Sequence, residues 1–282
     1  MRAEQITDPV AYHGEGPVWS EGWGGLCWVD MLAGDVLSMG GDGLVKRRHV
    51  GTIAAAIRPR RQGGAVIGLE RGFALEDAEG SLTYLGDIWD DPNVRMNEGG
   101  CDPDGRFYCG SMTYDHRPGA GSLYRLDPDG SVVVALESVT ISNGLAWTPD
   151  GSAAYYADTE THRIDRFEYE PGGGLRNRRT FVDLTDERAR PDGLSVDAEG
   201  NVWVALNGSG VVRCYAPDGS LEDEVEVPVT KVTACTFGGP ELRDLFITTS
   251  REGLSPDQEL PAGSLFRAKP NVSGLPVREF IG

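Results

Sequence analysis

One short turn phrase recurs through the chain and limits its fold more than any other feature. It stands at Asp77–Gly80, Asp102–Gly105, Asp127–Gly130, Thr148–Gly151, Asp197–Gly200 and Ala216–Gly219. Where the phrase contains Pro-Asp-Gly, proline presets φ at the second turn position, Asp accepts local backbone bonds and Gly takes the positive-φ position. Most copies run into a short apolar or aromatic segment of strand character, such as Arg106–Cys109, Ala153–Tyr156 and Asn201–Val204, which predicts hairpins. The copies with Asp-Pro-Asp-Gly lack the bidentate glutamate and flanking helices of a calcium-binding EF-hand, so they read as turns.

The repeat sharpens when the segment before each turn is aligned. Asn97, Asn143 and Asp192 each precede a turn glycine (Gly105, Gly151 and Gly200) by the same interval, and looser copies start at Glu15, Ala55 and Thr233. The six starts are spaced by 40, 42, 46, 49 and 41 residues, the range of a four-stranded propeller blade. No segment sustains a 3.6-residue period; Thr185–Arg190 is long enough for one helical turn at most. The spacing predicts an all-β protein, a six-bladed β-propeller, with residues 1–282 forming a single domain closed by its two ends. A sandwich or a pair of barrels fits the even spacing less well.

In a propeller the innermost strands converge on one axis, so residues at one register form a ring. That ring reads Glu15, Ala55, Asn97, Asn143, Asp192, Thr233. Four members offer carboxylate or carboxamide oxygens, which near a common axis suit a hard or borderline divalent cation. The glycine that follows Glu15, Asn143 and Asp192 fits a crowded strand start.

Composition removes other functions. With 44 acidic and 26 basic side chains, the net charge of −18 disfavours nucleic acid and anionic membrane as partners. No apolar run approaches the roughly 18 residues of a membrane span, and Met1–Asp8 has no apolar signal segment, so a cytoplasmic location is expected. Five unpatterned cysteines read as reduced, buried thiols. The four histidines lack the spacing of a histidine-bound zinc site. No G-x-S-x-G elbow, dinucleotide fingerprint or phosphate-binding loop is present. The acidic tract Leu221–Glu226 reads as a solvated hairpin edge.

The chain resembles the senescence-marker-protein/gluconolactonase family, the regucalcin-like proteins. The likeness rests on Gly14–Trp19, Arg95–Arg106, Ile141–Trp147, Pro191–Gly200, Asn177–Arg179, Thr233–Gly239 and Gly263–Phe266, in order along nearly the whole chain. It implies one divalent metal (Ca, Zn, Mn, Mg or Fe(II)) held by Glu15, Asn143 and Asp192. It further implies a sugar-lactone substrate contacted by Arg95, Asn97 and Glu98, and hydrolysis with Asp192 as general base. Glu98 stands where the family usually has Asp, and no acid aligns in Asp115–Gly121 before the Ser122-Leu-Tyr124 phrase. A monomer or weak homo-oligomer is expected. The alternatives are a non-catalytic calcium-binding or protein-interaction propeller, and a propeller esterase or phosphotriesterase.

Overall fold

The computed structural model describes residues 1–255 and 257–282. Its strands form six four-stranded sheets. Blade 1 runs outward from β2 (Gly14–Ser20) through β3 (Gly25–Asp30) and β4 (Asp35–Gly40) to β5 (Val45–His49). Blades 2 to 5 repeat the meander as β6 (Ala54–Pro59) to β9 (Leu82–Asp87), β10 (Val94–Cys101) to β13 (Val132–Val139), β14 (Ser142–Trp147) to β17 (Gly174–Asp183), and β18 (Arg190–Val196) to β21 (Leu221–Glu226). Blade 6 comprises β22 (Val232–Gly238), β23 (Asp244–Thr249), β24 (Phe266–Ala268) and the first strand of the chain, β1 (Glu4–Gln5). Each innermost strand packs against those of its two neighbours, so the six sheets close a ring. The six-bladed propeller expected from the spacing is the observed fold.

Strand chemistry follows position within a blade. Middle strands are covered on both faces by adjacent blades, so β3 and β15 (Ala153–Asp158) are buried throughout and their sequences do not alternate. Outermost strands meet water, and several carry charge: Lys46-Arg-Arg-His49 in β5, Arg176-Asn-Arg-Arg179 in β17, and Glu222-Asp-Glu224 in β21. Such charge discourages edge-to-edge pairing with other chains. The acidic tract is thus the edge strand its composition suggested. The five cysteines are buried and free.

Within the limit of one helical turn expected for Thr185–Arg190, Thr185–Arg188 form a single turn: Arg188 N–H bonds Thr185 O at 3.1 Å, and Arg188 adopts φ 52°, which halts right-handed winding before β18 begins at Arg190. The 3-10 turns lie at Glu21–Trp23, Met31–Ala33 and Thr159–Thr161.

Both ends of the chain complete the ring. β1 pairs antiparallel with β24, Glu4 opposite Arg267 and Gln5 opposite Phe266. Residues 274–281 cross the end of the channel where the inner strands finish: Gly274 N–H bonds Leu242 O, Phe280 N–H bonds Pro59 O and Ile281 N–H bonds Gly105 O. Leu275–Arg278 enclose a cavity of about 120 Å3 together with Trp19, Arg58, Trp147 and Phe237. Among the described residues no helix is long and apolar enough to cross a membrane.

The glycines at the strand starts serve two purposes. A Cβ on Gly144 would lie 2.6 Å from Asp192 O, and one on Gly193 would lie 2.3 Å from Ala234 Cβ, so neighbouring blades require their absence. A Cβ on Gly16 would meet only ordinary contacts, the nearest Ala55 O at 3.8 Å, but φ is +52°, a backbone conformation suited to glycine. Gly144→Ala is therefore expected to destabilise the protein by about 1–3 kcal/mol. Gly41→Ala, which meets nothing within 4 Å, should be near neutral. Urea unfolding of the two variants checks this.

Candidate active site

Every innermost strand breaks register at its ring position. Extra residues fall between Glu15 and Val18, Ala54 and Ala56, Met96 and Gly99, Ser142 and Leu145, Pro191 and Leu194, and Val232 and Ala234. A bulge unpairs residues from the ladder and re-aims their side chains. Here Ala55, Asn97, Asn143, Asp192 and Thr233 sit within the break, and Glu15 sits at its edge. Glu15, Asn97, Asn143 and Asp192 line one cavity of about 300 Å3 at the mouth of the channel. Thr233 instead ties blades together, its hydroxyl donating to Gly14 O at 2.6 Å.

Hydrogen bonds fix how these groups face the cavity. The Thr159 hydroxyl donates to Pro191 O at 2.8 Å, so it can only accept from the Asn143 side chain 3.0 Å away. That contact must be the amide nitrogen, which leaves Asn143 Oδ1 turned inward, buried and without a partner. Asp192 Oδ2 accepts from Asn207 Nδ2 at 2.8 Å, while Oδ1 is buried and unpartnered. Among the described residues Glu15 Oε2 accepts only from the N–H of Gly16, at 3.1 Å. Asn97 is different. Its Oδ1 accepts from Arg95 Nη1 and its Nδ2 donates to Ser142 O, both at 2.8 Å, so it holds Arg95 and has no idle amide group.

Burial and like charge dominate the electrostatics. Burial, then the nearby Asp192 and Glu98, hold the Glu15 carboxyl well above the usual range. Asp192 is pushed up to about 7, chiefly by burial and against the bond from Asn207. Buried carboxylates crowded together with one oxygen of each left without a hydrogen bond fit a bound cation, and two carboxylates plus an inward carboxamide oxygen are a donor set for a hard or borderline divalent ion. Among the described residues no group of three or more His, Cys, Asp or Glu could hold a metal ion, so a site here would need a further donor such as the Asn143 carboxamide oxygen.

Glu98 is not brought to the mouth. It faces the channel below, where it lines the second cavity with Arg58, Ser195 and Cys235, and a Cβ on Gly193 would lie 3.1 Å from its Oε1. Burial, then Asp192, push its carboxyl up to about 8. Within the bulge Asn97 faces up and Glu98 down, which the linear sequence does not reveal.

Residues not singled out by the sequence complete the mouth: His13, His116, Ile141, Arg190, Asn207, Lys231, Ser250 and Glu252. His13 is buried, its Nδ1 2.7 Å from Ser250 Oγ and its Nε2 3.8 Å from Glu15 Oε1. Burial, then Arg95 and Lys231, pull its pKa down to about 3 and keep it neutral. A signal for several of these existed. Two residues before the ring positions, on the same strand face, stand His13, Ile53, Arg95, Ile141, Arg190 and Lys231.

Comparison with known proteins gives the family and the fold. The SMP-30/Gluconolactonase/LRE-like region matches residues 13–251. Regucalcin of Xenopus laevis is 35% identical over 293 aligned positions, covering 99% of this chain and 96% of that protein. The crystal structure of a calcium-binding protein, regucalcin, from Agrobacterium tumefaciens superimposes with a TM-score of 0.93 at 27% identity, covering 99% of this chain and 97% of the other. A gluconolactonase from Xanthomonas campestris superimposes with a TM-score of 0.75 at 25% identity, covering 94% and 88%.

The raised Asp192 pKa has a consequence for the metal-free protein. A carboxyl with a higher pKa folded than unfolded contributes stability in full at low pH, and that contribution is lost as pH rises from about 4 through about 7. Asp192→Asn should therefore stabilise chelator-treated protein at pH 8 by roughly 1–3 kcal/mol. It should also abolish the rise in Tm on adding a divalent cation. Thermal unfolding of both proteins, with and without cation, tests this.

Proposed function

Because the chain belongs to the SMP-30/gluconolactonase/LRE-like family, we propose that it is a metal-dependent lactonase that opens a sugar lactone to the aldonic acid. The observation that carries this reading is the pair of buried, unpartnered oxygens, Asn143 Oδ1 and Asp192 Oδ1, beside Glu15 in one cavity. Glu15, Asn143 and Asp192 would hold the divalent cation, which would supply Lewis acidity to the lactone carbonyl. Asp192, oriented by Asn207 and kept as a carboxylate by the cation, takes a proton from the attacking water. Arg95, fixed by Asn97, has a buried Nε without an acceptor and orients the carbonyl or a ring hydroxyl. Oxygen donors accommodate Ca, Zn, Mn, Mg or Fe(II).

A second reading, calcium binding without turnover, is favoured by the calcium-binding description of the Agrobacterium relative. One assay separates the two. Metal-free protein is given single cations and a panel of gluconolactone, xylonolactone, arabinolactone and galactonolactone. Turnover with at least one cation is expected, and Asp192→Ala should lower kcat by about 10²–10⁴. Tight calcium binding with no opening of any lactone would select the second reading, and wild-type turnover in Asp192→Ala would remove Asp192 from its role.

A further inference from the structure

The ring two residues above the oxygen donors contains three permanent cations, Arg95, Arg190 and Lys231, in a chain whose net charge is −18. Building on the lactonase reading, we propose that this collar selects lactones that carry a free carboxylate, such as the 1,4-lactone of an aldaric acid, over neutral sugar lactones.

Two arginines of this chain are buried to a similar degree, Arg95 at 7% exposure and Arg106 at 6%, and their surroundings differ. Arg106 has its anions built in, Asp102 Oδ2 at 2.7 Å and Asp104 Oδ2 at 3.3 Å. Arg95 has no carboxylate at salt-bridge distance among the described residues. Its Nη1 donates to Asn97 Oδ1 and Met96 O, lies 3.1 Å from Met31 Sδ, and its Nε meets no acceptor. A guanidinium taken out of water is strongly disfavoured unless an anion meets it, and its planar fork matches a carboxylate. A sugar hydroxyl could accept one bond but would leave the charge unmatched.

The surrounding charges agree. Arg190 is offset by Glu160, 2.6 Å away. Lys231 donates its ammonium to the backbone carbonyl of Glu252 and pairs with no carboxylate among the described residues. The acids facing the cavity are Glu15 and Asp192, which a divalent cation neutralises, and Glu252 at the rim, half exposed. Arg95, whose guanidinium stacks 5.7 Å over the Tyr114 ring and feels Glu252, Glu15 and Glu70 at longer range, and Lys231 are thus the cations at the cavity that contact no carboxylate among the described residues.

The test compares D-glucaro-1,4-lactone with the neutral D-galactono-1,4-lactone, using protein loaded with the cation that supports turnover. The expected result is a kcat/KM at least about tenfold higher for the acidic lactone, falling as salt is raised. Lys231→Met and Arg95→Gln should each shrink that ratio, mainly by raising KM for the acidic lactone. Lys231 is at the partly exposed rim, so its variant separates recognition from folding, and Tm is measured for both. Equal or better opening of the neutral lactone overturns the carboxylate proposal and leaves the lactonase reading standing. An acid preference that survives in both variants overturns the assignment to the collar. Opening of neither lactone, nor of any in the wider panel, overturns the lactonase reading and this proposal with it.

Discussion

Six strands can start around one axis only if their backbones approach more closely than side chains normally permit. The structure meets that constraint with a bulge in every innermost strand and, at Gly144 and Gly193, with residues whose missing Cβ leaves room for the next blade. Both devices bear on the site. The bulge removes Asn143 and Asp192 from the ladder, and the glycines let them stand close. Packing and chemistry thus meet at the same strand starts, although the bulge itself also accepts an apolar residue, as Ala55 shows.

The arrangement has an electrostatic tension built into it. Glu15, Asp192 and Glu98 are all buried and close together, and Arg58, Arg95 and Arg190 supply the opposing charge nearby. A core chosen for stability would contain none of this. Stability is instead carried by the blade faces, where buried aromatic pairs such as Trp203 with Phe237 and Tyr156 with Phe167 pack edge to face. The ring supplies rigidity and the mouth uses it.

Much of this was legible in the sequence because turns and strand starts are local. All six starts inferred from the repeat, Glu15 to Thr233, fall within innermost strands. Three of the four polar ring residues keep a free oxygen at the mouth or a carboxylate held only by its own backbone. The rest depends on distances between blades. Nothing local shows that Asn97 spends both amide groups on Arg95 and Ser142, or that Glu98 turns below the floor. The second ring was encoded at the same register but becomes visible only once the strand face is known to continue upward. His13 and Ser250 meet across 237 residues of chain, a contact no periodicity could announce.

Residues 274–281, drawn across the end of the channel, turn the propeller from a tube into a well. Under the proposed function, reactant, water and product would then share the mouth lined by Glu15, Asn143 and Asp192. Whatever leaves has to pass the cations at the rim before the next molecule enters. Under the proposed function those side chains would act on departure as well as on arrival, and a collar that held an anion too firmly would slow its own turnover.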